Sequence, residues 1–266
     1  MSLTFRIQVL ALTLSCATLF AQPQATIAPS PHPALSVSPI APGDPATDAL
    51  FAGGTANLRP VSLLLKNVGT QPILSVVLLV TSAQVGGRPI TQRDVADAFA
   101  QNGHPVLNAG DSLVAIPAGG FYHPRDLAVS GPAVSLLQNA SNQIARMSSQ
   151  VTVSVDAILF ASGEVDGPDT TNFMGELLAR KQAAQSIMAA INGPSPQADL
   201  SKMAAQKFQK GNWLGYWQHF WADICLKASQ IGGATFCVPS VQASFAIPAL
   251  FRGANPGSSS SQGGNQ

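Results

Sequence analysis

The spacing of apolar residues changes near Gly163, and this change most limits what the chain can fold into. Before it, apolar and polar residues alternate, as in residues 151–160, which favours strands. After it, apolar residues recur every three or four positions over residues 173–191, which favours a helix. Strands followed by helices predict an α+β protein, here a β-sandwich followed by a helical region.

Several runs before Gly163 predict strands. Residues 59–68 and 73–80 are separated by turn residues and predict a hairpin. Residues 73–80 are apolar on both faces, which predicts a strand in the middle of a sheet. The pattern of residues 111–116 predicts a further strand. The pattern of residues 92–101 predicts a short helix. In residues 151–160, one face is expected to hold Val151, Val153, Val155, Ala157 and Leu159.

About three helices are predicted after Gly163. The first ends at Asn192, Ser195 caps the second, and Asn212 caps the third. The second helix is expected to use Phe208 on its apolar face. Gly232 and the following glycine close the third helix.

In the first of these helices, Glu176 and Arg180 lie four residues apart and predict an ion pair along one side of the helix.

The N-terminal segment predicts a secretory signal peptide. Arg6 is the only charge before an apolar run over residues 7–21, and cleavage is expected after Ala21. The run is short for a bilayer span, and no other run predicts one in the mature chain. The protein is therefore expected to be exported, either periplasmic or secreted. The alternative is a lipoprotein anchored at Cys16.

These patterns divide the chain into six segments. They are a signal peptide (1–21), a Pro-rich linker (22–45), a β-sandwich (46–165), a helical extension (166–233), an extended segment (234–252) and a disordered tail (253–266).

Two further cysteines, Cys225 and Cys237, remain in the mature chain. In an exported protein such a pair predicts a disulfide, and the alternative is two isolated buried thiols.

Charged residues make up only 10% of the chain and the net charge is +1. Binding to nucleic acid depends on clustered Lys and Arg, so this composition argues against a nucleic-acid partner.

Two short stretches resemble known proteins. Residues 63–73 (LLLKNVGTQPI) resemble a hairpin of immunoglobulin-like domains in exported bacterial proteins. Residues 155–170 (VDAILFASGEVDGPDT) resemble a segment of uncharacterised exported proteins from soil bacteria such as acidobacteria. The resemblance implies an immunoglobulin-like antiparallel sandwich and an exported location, and it implies no activity. The Cys-Trp-Cys core pattern of antibody domains is missing.

No motif predicts a catalytic, cofactor or metal site. The four histidines are scattered, without the spacing of metal ligands: His32, His104, His123 and His219. His32 is expected to be exposed. The acidic run Glu164, Asp166 and Asp169 fits either a calcium loop or a turn in which Asp169 precedes a helix start.

The third predicted helix carries the densest cluster of aromatic residues. They lie at three-to-four-residue spacing: Trp213, Tyr216, Trp217, Phe220 and Trp221. Trp213, Trp217 and Trp221 are candidate contacts for a partner or a sugar, and the alternative is that they pack the helix on its neighbours.

Three functions are compatible with these observations. The favoured one is a non-enzymatic exported binding or structural module, whose partner is a protein or an envelope component. The alternatives are an exported hydrolase with dispersed catalytic residues that uses His123 or His219, and a lipid-anchored envelope assembly factor.

Overall fold

A computed structural model describes residues 24–43, 45–51, 53–84, 87–100, 104–123, 131–231 and 237–253. The predicted signal peptide, Cys16, the glycines after residue 231 and the predicted tail beyond Gly253 lie outside these residues. The described chain is a mixed α+β protein with two mainly antiparallel sheets and six α-helices. None of the described helices has the length and hydropathy needed to cross a membrane.

The larger sheet has six strands in the order β10-β9-β8-β4-β5, with β1 also paired to β8. Strand β4 runs antiparallel to both β5 and β8. The central strand predicted from residues 73–80 is therefore confirmed. The bounds are β1 Gln24–Ile27, β4 Ile73–Gln84, β5 Pro89–Asp97, β8 Met147–Phe160, β9 Glu164–Asp166 and β10 Phe251–Arg252.

The smaller sheet has four antiparallel strands in the order β2-β3-β6-β7. Its strand β6 confirms the strand predicted over residues 111–116. Apolar residues from both sheets form one shared buried core. The bounds are β2 Leu35–Pro39, β3 Leu63–Asn67, β6 Ser112–Ile116 and β7 Gly120–Tyr122.

The predicted hairpin between residues 59–68 and 73–80 is wrong, because β3 and β4 belong to different sheets. The link between them passes from one sheet to the other, and its residues 68–72 are exposed or half-buried. The buried side chain of Asn67 shapes this link by accepting from the Gly69 N–H and donating to the Gln71 carbonyl. A side chain at Gly69 would collide with Ala34, since a Cβ there would lie 2.6 Å from the Ala34 Cβ.

The helix predicted over residues 92–101 is also wrong. Most of this run belongs to β5, which forms a hairpin with β4, and only Ala98–Ala100 make a 3₁₀ turn. Pairing with β4 overrides the helical spacing of the apolar residues.

Strand β8 carries an irregularity at Asp156, where the register against β4 shifts. Before it, Val155 faces the core between the sheets. After it, Ala157 and Leu159 contact the helical layer. The prediction that all five alternating residues from Val151 to Leu159 share one face is therefore wrong, because a bulge reverses the alternation.

The Asp156 carboxylate is buried and holds the start of the helical region. It accepts hydrogen bonds from the backbone N–H and the hydroxyl of both Thr170 and Thr171, at 2.7–3.1 Å. Burial raises the pKa of Asp156, but the four hydrogen bonds favour its charged form and the net pKa is lowered. The next carboxylate, Asp169, accepts from the Phe173 N–H at the start of the first long helix.

Helices α3, α4 and α5 lie where the sequence predicted three. Helix α2 precedes β8, in a run without clear spacing, and α6 follows α5. The bounds are α1 Pro45–Asp48, α2 Gly131–Ile144, α3 Phe173–Ile191, α4 Pro196–Ala204, α5 Trp213–Ile231 and α6 Val238–Ala243. The Asn212 side chain accepts from the Gly215 N–H at 3.0 Å, so the predicted cap of α5 is confirmed. At α4, Ser195 precedes the helix without a side-chain capping bond.

Two segments carry more regular structure than expected. The predicted Pro-rich linker contains β1 and β2, which pair with β8 and β3. The predicted extended segment over residues 234–252 contains α6 and ends in β10. The C-terminal segment passes close to Gly163, where φ is +93°. A Cβ at this position would lie 2.0 Å from the Ala249 carbonyl oxygen, so no side chain fits there.

The Sγ atoms of Cys225 and Cys237 lie at disulfide distance, 2.08 Å, in agreement with the expected pair. Both residues are buried in the core of the helical region, together with Ile187 of α3, Leu200 of α4 and Val241 of α6. The bond therefore ties α5 to the chain that enters α6.

We expect Asp156→Asn to lower the free energy of unfolding by about 2 kcal/mol at pH 7, because the amide NH₂ would face N–H donors. The native pKa of Asp156 lies below its ordinary value of 3.8. Its stabilisation is therefore fully present above that pH and is lost as the pH falls through the lowered pKa, so the difference between the two proteins should shrink toward low pH. Urea unfolding at pH 7 and pH 3 measures both effects.

The matched control for this experiment is Asp223→Asn, at an exposed carboxylate that pairs with Lys227. It should change stability by less than about 0.5 kcal/mol. Equal effects of the two variants would contradict the anchoring role of Asp156.

We expect removal of the disulfide to cost about 3 kcal/mol, because it closes a short loop between residues 12 apart in sequence. The measurement compares the Tm of the oxidised protein with that of the reduced protein and of the Cys225→Ala/Cys237→Ala variant. Free alkylation of both thiols without reductant would contradict the bond.

Candidate functional site

The aromatic cluster of α5 lies where the helical layer meets β5, an edge strand of the larger sheet. Helix α5 packs on α3 and α4 through its buried residues Trp221, Ala222 and Cys225. Toward its N-terminus, the same helix carries Trp213 and Trp217, which are half-buried. The helix therefore has one side in the core and one side that reaches solvent.

Arg180 of α3 is the buried charge beneath this cluster. It is only 3% exposed. Its Nη1 donates to the Asp97 carboxylate at the end of β5, and its Nε donates to Ser244 Oγ at 3.2 Å. The guanidinium carbon lies 4.5 Å from the centre of the Trp217 ring and 5.9 Å from that of Trp221.

Asp97 has its other partners on the sheet. Its carboxylate accepts from Ser75 Oγ of β4 at 3.2 Å and from the Phe99 N–H at 2.9 Å. The ion pair with Arg180 is thus surrounded by further hydrogen bonds, which a buried pair needs in order to offset its lost hydration.

A second pair joins Arg93 of β5 to Glu176 of α3, with an N–O distance of 2.6 Å. The Arg93 guanidinium carbon lies 5.4 Å from the Phe173 ring centre and 5.8 Å from that of Trp213. Burial raises the pKa of Glu176, against the opposing charge of Arg93.

The predicted ion pair between Glu176 and Arg180 is wrong, since each of these residues pairs with β5 instead. The charges on the strand, Arg93 and Asp97, are four residues apart, as are those on the helix. Their signs are complementary, so the two pairs fix the position of α3 along the strand.

The three candidate contact residues do not share one environment. Trp221 is 4% exposed and belongs to the core of the helical region. Trp217 lies over Arg180 and Trp213 over Arg93, and both are half-buried. All three therefore pack the helix against the rest of the protein, and only Trp213 and Trp217 also reach solvent.

Two exposed aromatic residues complete the surface. Phe208 is 41% exposed and Phe220 is 37% exposed. Between them lies Tyr216, whose ring centre is 5.5 Å from that of Phe208 and 6.0 Å from that of Phe220. We call Phe208, Trp213, Tyr216 and Phe220 the aromatic patch.

The sequence placed Phe208 on the apolar face of α4, and this is wrong because the helix ends at Ala204. Residues 205–212 form a connection in which every residue is exposed. The turn residue Gly211 and the capping residue Asn212 were signals that this segment is a loop.

A cavity of about 180 Å³ lies between this loop and the first turn of α5. It is lined by Phe208, Gln209, Lys210, Gly211, Asn212, Trp213 and Tyr216. The cavity has room for one small apolar group and opens beside the aromatic patch.

The histidines lie apart. His32 is half-buried against Phe160, with 4.7 Å between ring centres, so the expectation that it is exposed is wrong. His104 is exposed, and His123 borders residues that the structure does not describe. The His219 ring lies 5.3 Å from that of Phe208, with a buried Nδ1 that makes no hydrogen bond within the described chain.

The acidic run does not form a cluster of ligands. Glu164 and Asp166 lie in β9, while Asp169 accepts from the N-terminus of α3 and pairs with Arg252 at 2.7 Å. Within the described ranges, no three His, Cys, Asp or Glu side chains are grouped as metal ligands would be.

No protein-family model matches the chain. Searches of curated proteins and of solved structures likewise give no significant match.

We expect Arg180→Met to lower the free energy of unfolding by about 3–5 kcal/mol, because it leaves the Asp97 carboxylate buried without its cation. The double variant Arg180→Met/Asp97→Asn should recover part of this loss. Urea unfolding of the single and double variants measures the coupling.

The control is Lys227→Met, which breaks an exposed pair on α5 and should cost less than about 0.5 kcal/mol. A cost for Arg180→Met as small as this would contradict the proposed importance of the buried pair.

Proposed function

We propose that this protein is a non-enzymatic exported binding module that presents the aromatic patch to a partner in the cell envelope. The observation that carries the proposal is the exposure of Phe208, in the loop before α5, and of Phe220 on α5, a helix whose Trp217 packs on the buried Arg180. The export part rests on the predicted signal peptide, and the cysteine pair at disulfide distance is consistent with it.

The exposed rings provide a driving force for binding. With about 200 Å² per Phe side chain, their exposed fractions leave roughly 150 Å² open to water, worth about 4 kcal/mol if fully covered. Tyr216 and Trp213 extend the surface and add polar groups at its edge. Aromatic residues of this kind dominate the energetics of many interfaces.

The residues that support the aromatic patch are held in place before any partner binds. The rings of Trp213 and Trp217 lie on the two guanidinium groups, and the cysteine pair holds the C-terminal half of α5. A surface that is already rigid loses less conformational entropy on binding.

The proposal also keeps the immunoglobulin-like interpretation of the strand region and the resemblance to exported proteins of soil bacteria. Two sheets around one core support the former. In this arrangement the sandwich is the scaffold, and the helical layer on the outer face of the larger sheet carries the contact surface.

Photo-crosslinking in the native envelope tests the proposal. Benzoylphenylalanine placed at Phe208 or Phe220 should form adducts with an envelope component. At Leu136, which is 55% exposed on α2, it should form few. Phe220→Ala should reduce the adduct formed from position 208, because both positions contribute to one surface.

Adduct yields at positions 208 and 220 no higher than at 136 would contradict the proposal. So would robust hydrolytic turnover of the purified protein that is abolished by changing a single histidine, such as His123 or His219.

A further inference from the structure

The surface around Phe208 combines aromatic rings with positive charge. Residues 200–222 contain Lys202, Lys207 and Lys210 and no Asp or Glu, in a chain whose net charge is only +1. Lys207 and Lys210 flank Phe208, and both are exposed. The nearest acidic residues in sequence are Asp199 and Asp223, and Asp223 pairs with Lys227. The patch is thus complementary to an anionic partner.

The geometry of these residues suits a partner that has a flat, charged surface with an apolar region beneath it. Phe208 lies in the exposed loop of residues 205–212, ahead of the half-buried Trp213 and Tyr216. If its ring entered the apolar region of a bilayer, the flexible Lys207 and Lys210 could reach the phosphate level. Tyr and Trp are the residues that favour the boundary between these two regions.

The exposed area favours a bilayer over a protein. A stable protein interface buries about 800 Å² on each partner, slightly more than half of it apolar, whereas the two exposed Phe rings offer roughly 150 Å² of apolar area. Attachment to a bilayer requires only a few inserted apolar groups together with attraction between Lys and anionic lipids.

We propose that the aromatic patch, with Lys207 and Lys210, docks the protein on the surface of an anionic lipid bilayer. This inference rests on the proposed binding function and specifies its partner. Helix α5 lies along the membrane surface in this arrangement, while the two sheets stay in the aqueous phase.

Co-sedimentation with vesicles tests the inference. The full mature chain should bind vesicles of equal parts phosphatidylglycerol and phosphatidylcholine, and bind pure phosphatidylcholine vesicles at least tenfold more weakly. Lys207→Gln/Lys210→Gln should lower the partition coefficient by about 25-fold, since each Lys near an anionic surface contributes about fivefold. Phe208→Ala should lower it by about tenfold or more. Salt at 0.5 M should weaken binding by screening.

Matched controls are Lys66→Gln, at an exposed lysine of β3, and Leu136→Ala on α2. Both should bind as the unchanged protein does. Circular dichroism spectra of all variants should be identical, because every changed side chain is exposed.

Failure to bind the anionic vesicles, or binding that is unaffected by the changes at 207, 208 and 210, would overturn the inference. If benzoylphenylalanine at 208 then crosslinks to a protein in the envelope, the binding function stands and only the bilayer is wrong. If the adduct yield from position 208 is no higher than that from position 136, both proposals fail.

Discussion

The buried ion pair between Arg180 and Asp97 joins parts of this protein that are far apart in sequence. It connects the edge of the larger sheet to α3, and through Ser244 to the segment after α6. Above it lie the rings of Trp217 and Trp221 from α5. In a chain with so few charges, a fully buried guanidinium costs much free energy unless every partner is in place. The position of the helical layer is therefore set by this requirement.

Some of this arrangement could be predicted from the sequence. The apolar spacing of residues 173–191 continues through position 180, between Leu177 and Ala184, so Arg180 lay on the buried side of its helix. That signal indicated a buried charge with a distant partner. The pair with Glu176 was the nearest explanation in sequence, but a local pair would have left Asp97 and Arg93 unpaired on the sheet. Asp97 itself lay in a run that looked helical.

The strand errors have a related cause. A turn between two apolar runs does not show whether the runs pair with each other or lie in facing sheets, because both arrangements bury the same residues. β3 and β4 take the second arrangement. Likewise, a bulge at Asp156 leaves no signal in the apolar alternation itself. The signal was the isolated Asp within an apolar run, since a buried carboxylate needs donors, and here Thr170 and Thr171 supply them.

The sequence located only the part of the candidate site that lies on α5. The aromatic spacing of α5 identified the inner side, where Trp213 and Trp217 lie on guanidinium groups, but the outer side depends on where α4 ends. Because α4 stops at Ala204, Phe208 lies in an exposed loop. Its ring contacts that of the half-buried Tyr216, which stacks on the exposed Phe220. The two sides of α5 are physically coupled. The ion pairs hold α3 on β5, and the rings of Trp213 and Trp217 pack α5 on these pairs. The cysteine pair ties α5 to the chain that enters α6. A helix held in this way keeps its apolar rings outward, whereas a loosely attached one would turn them toward the core.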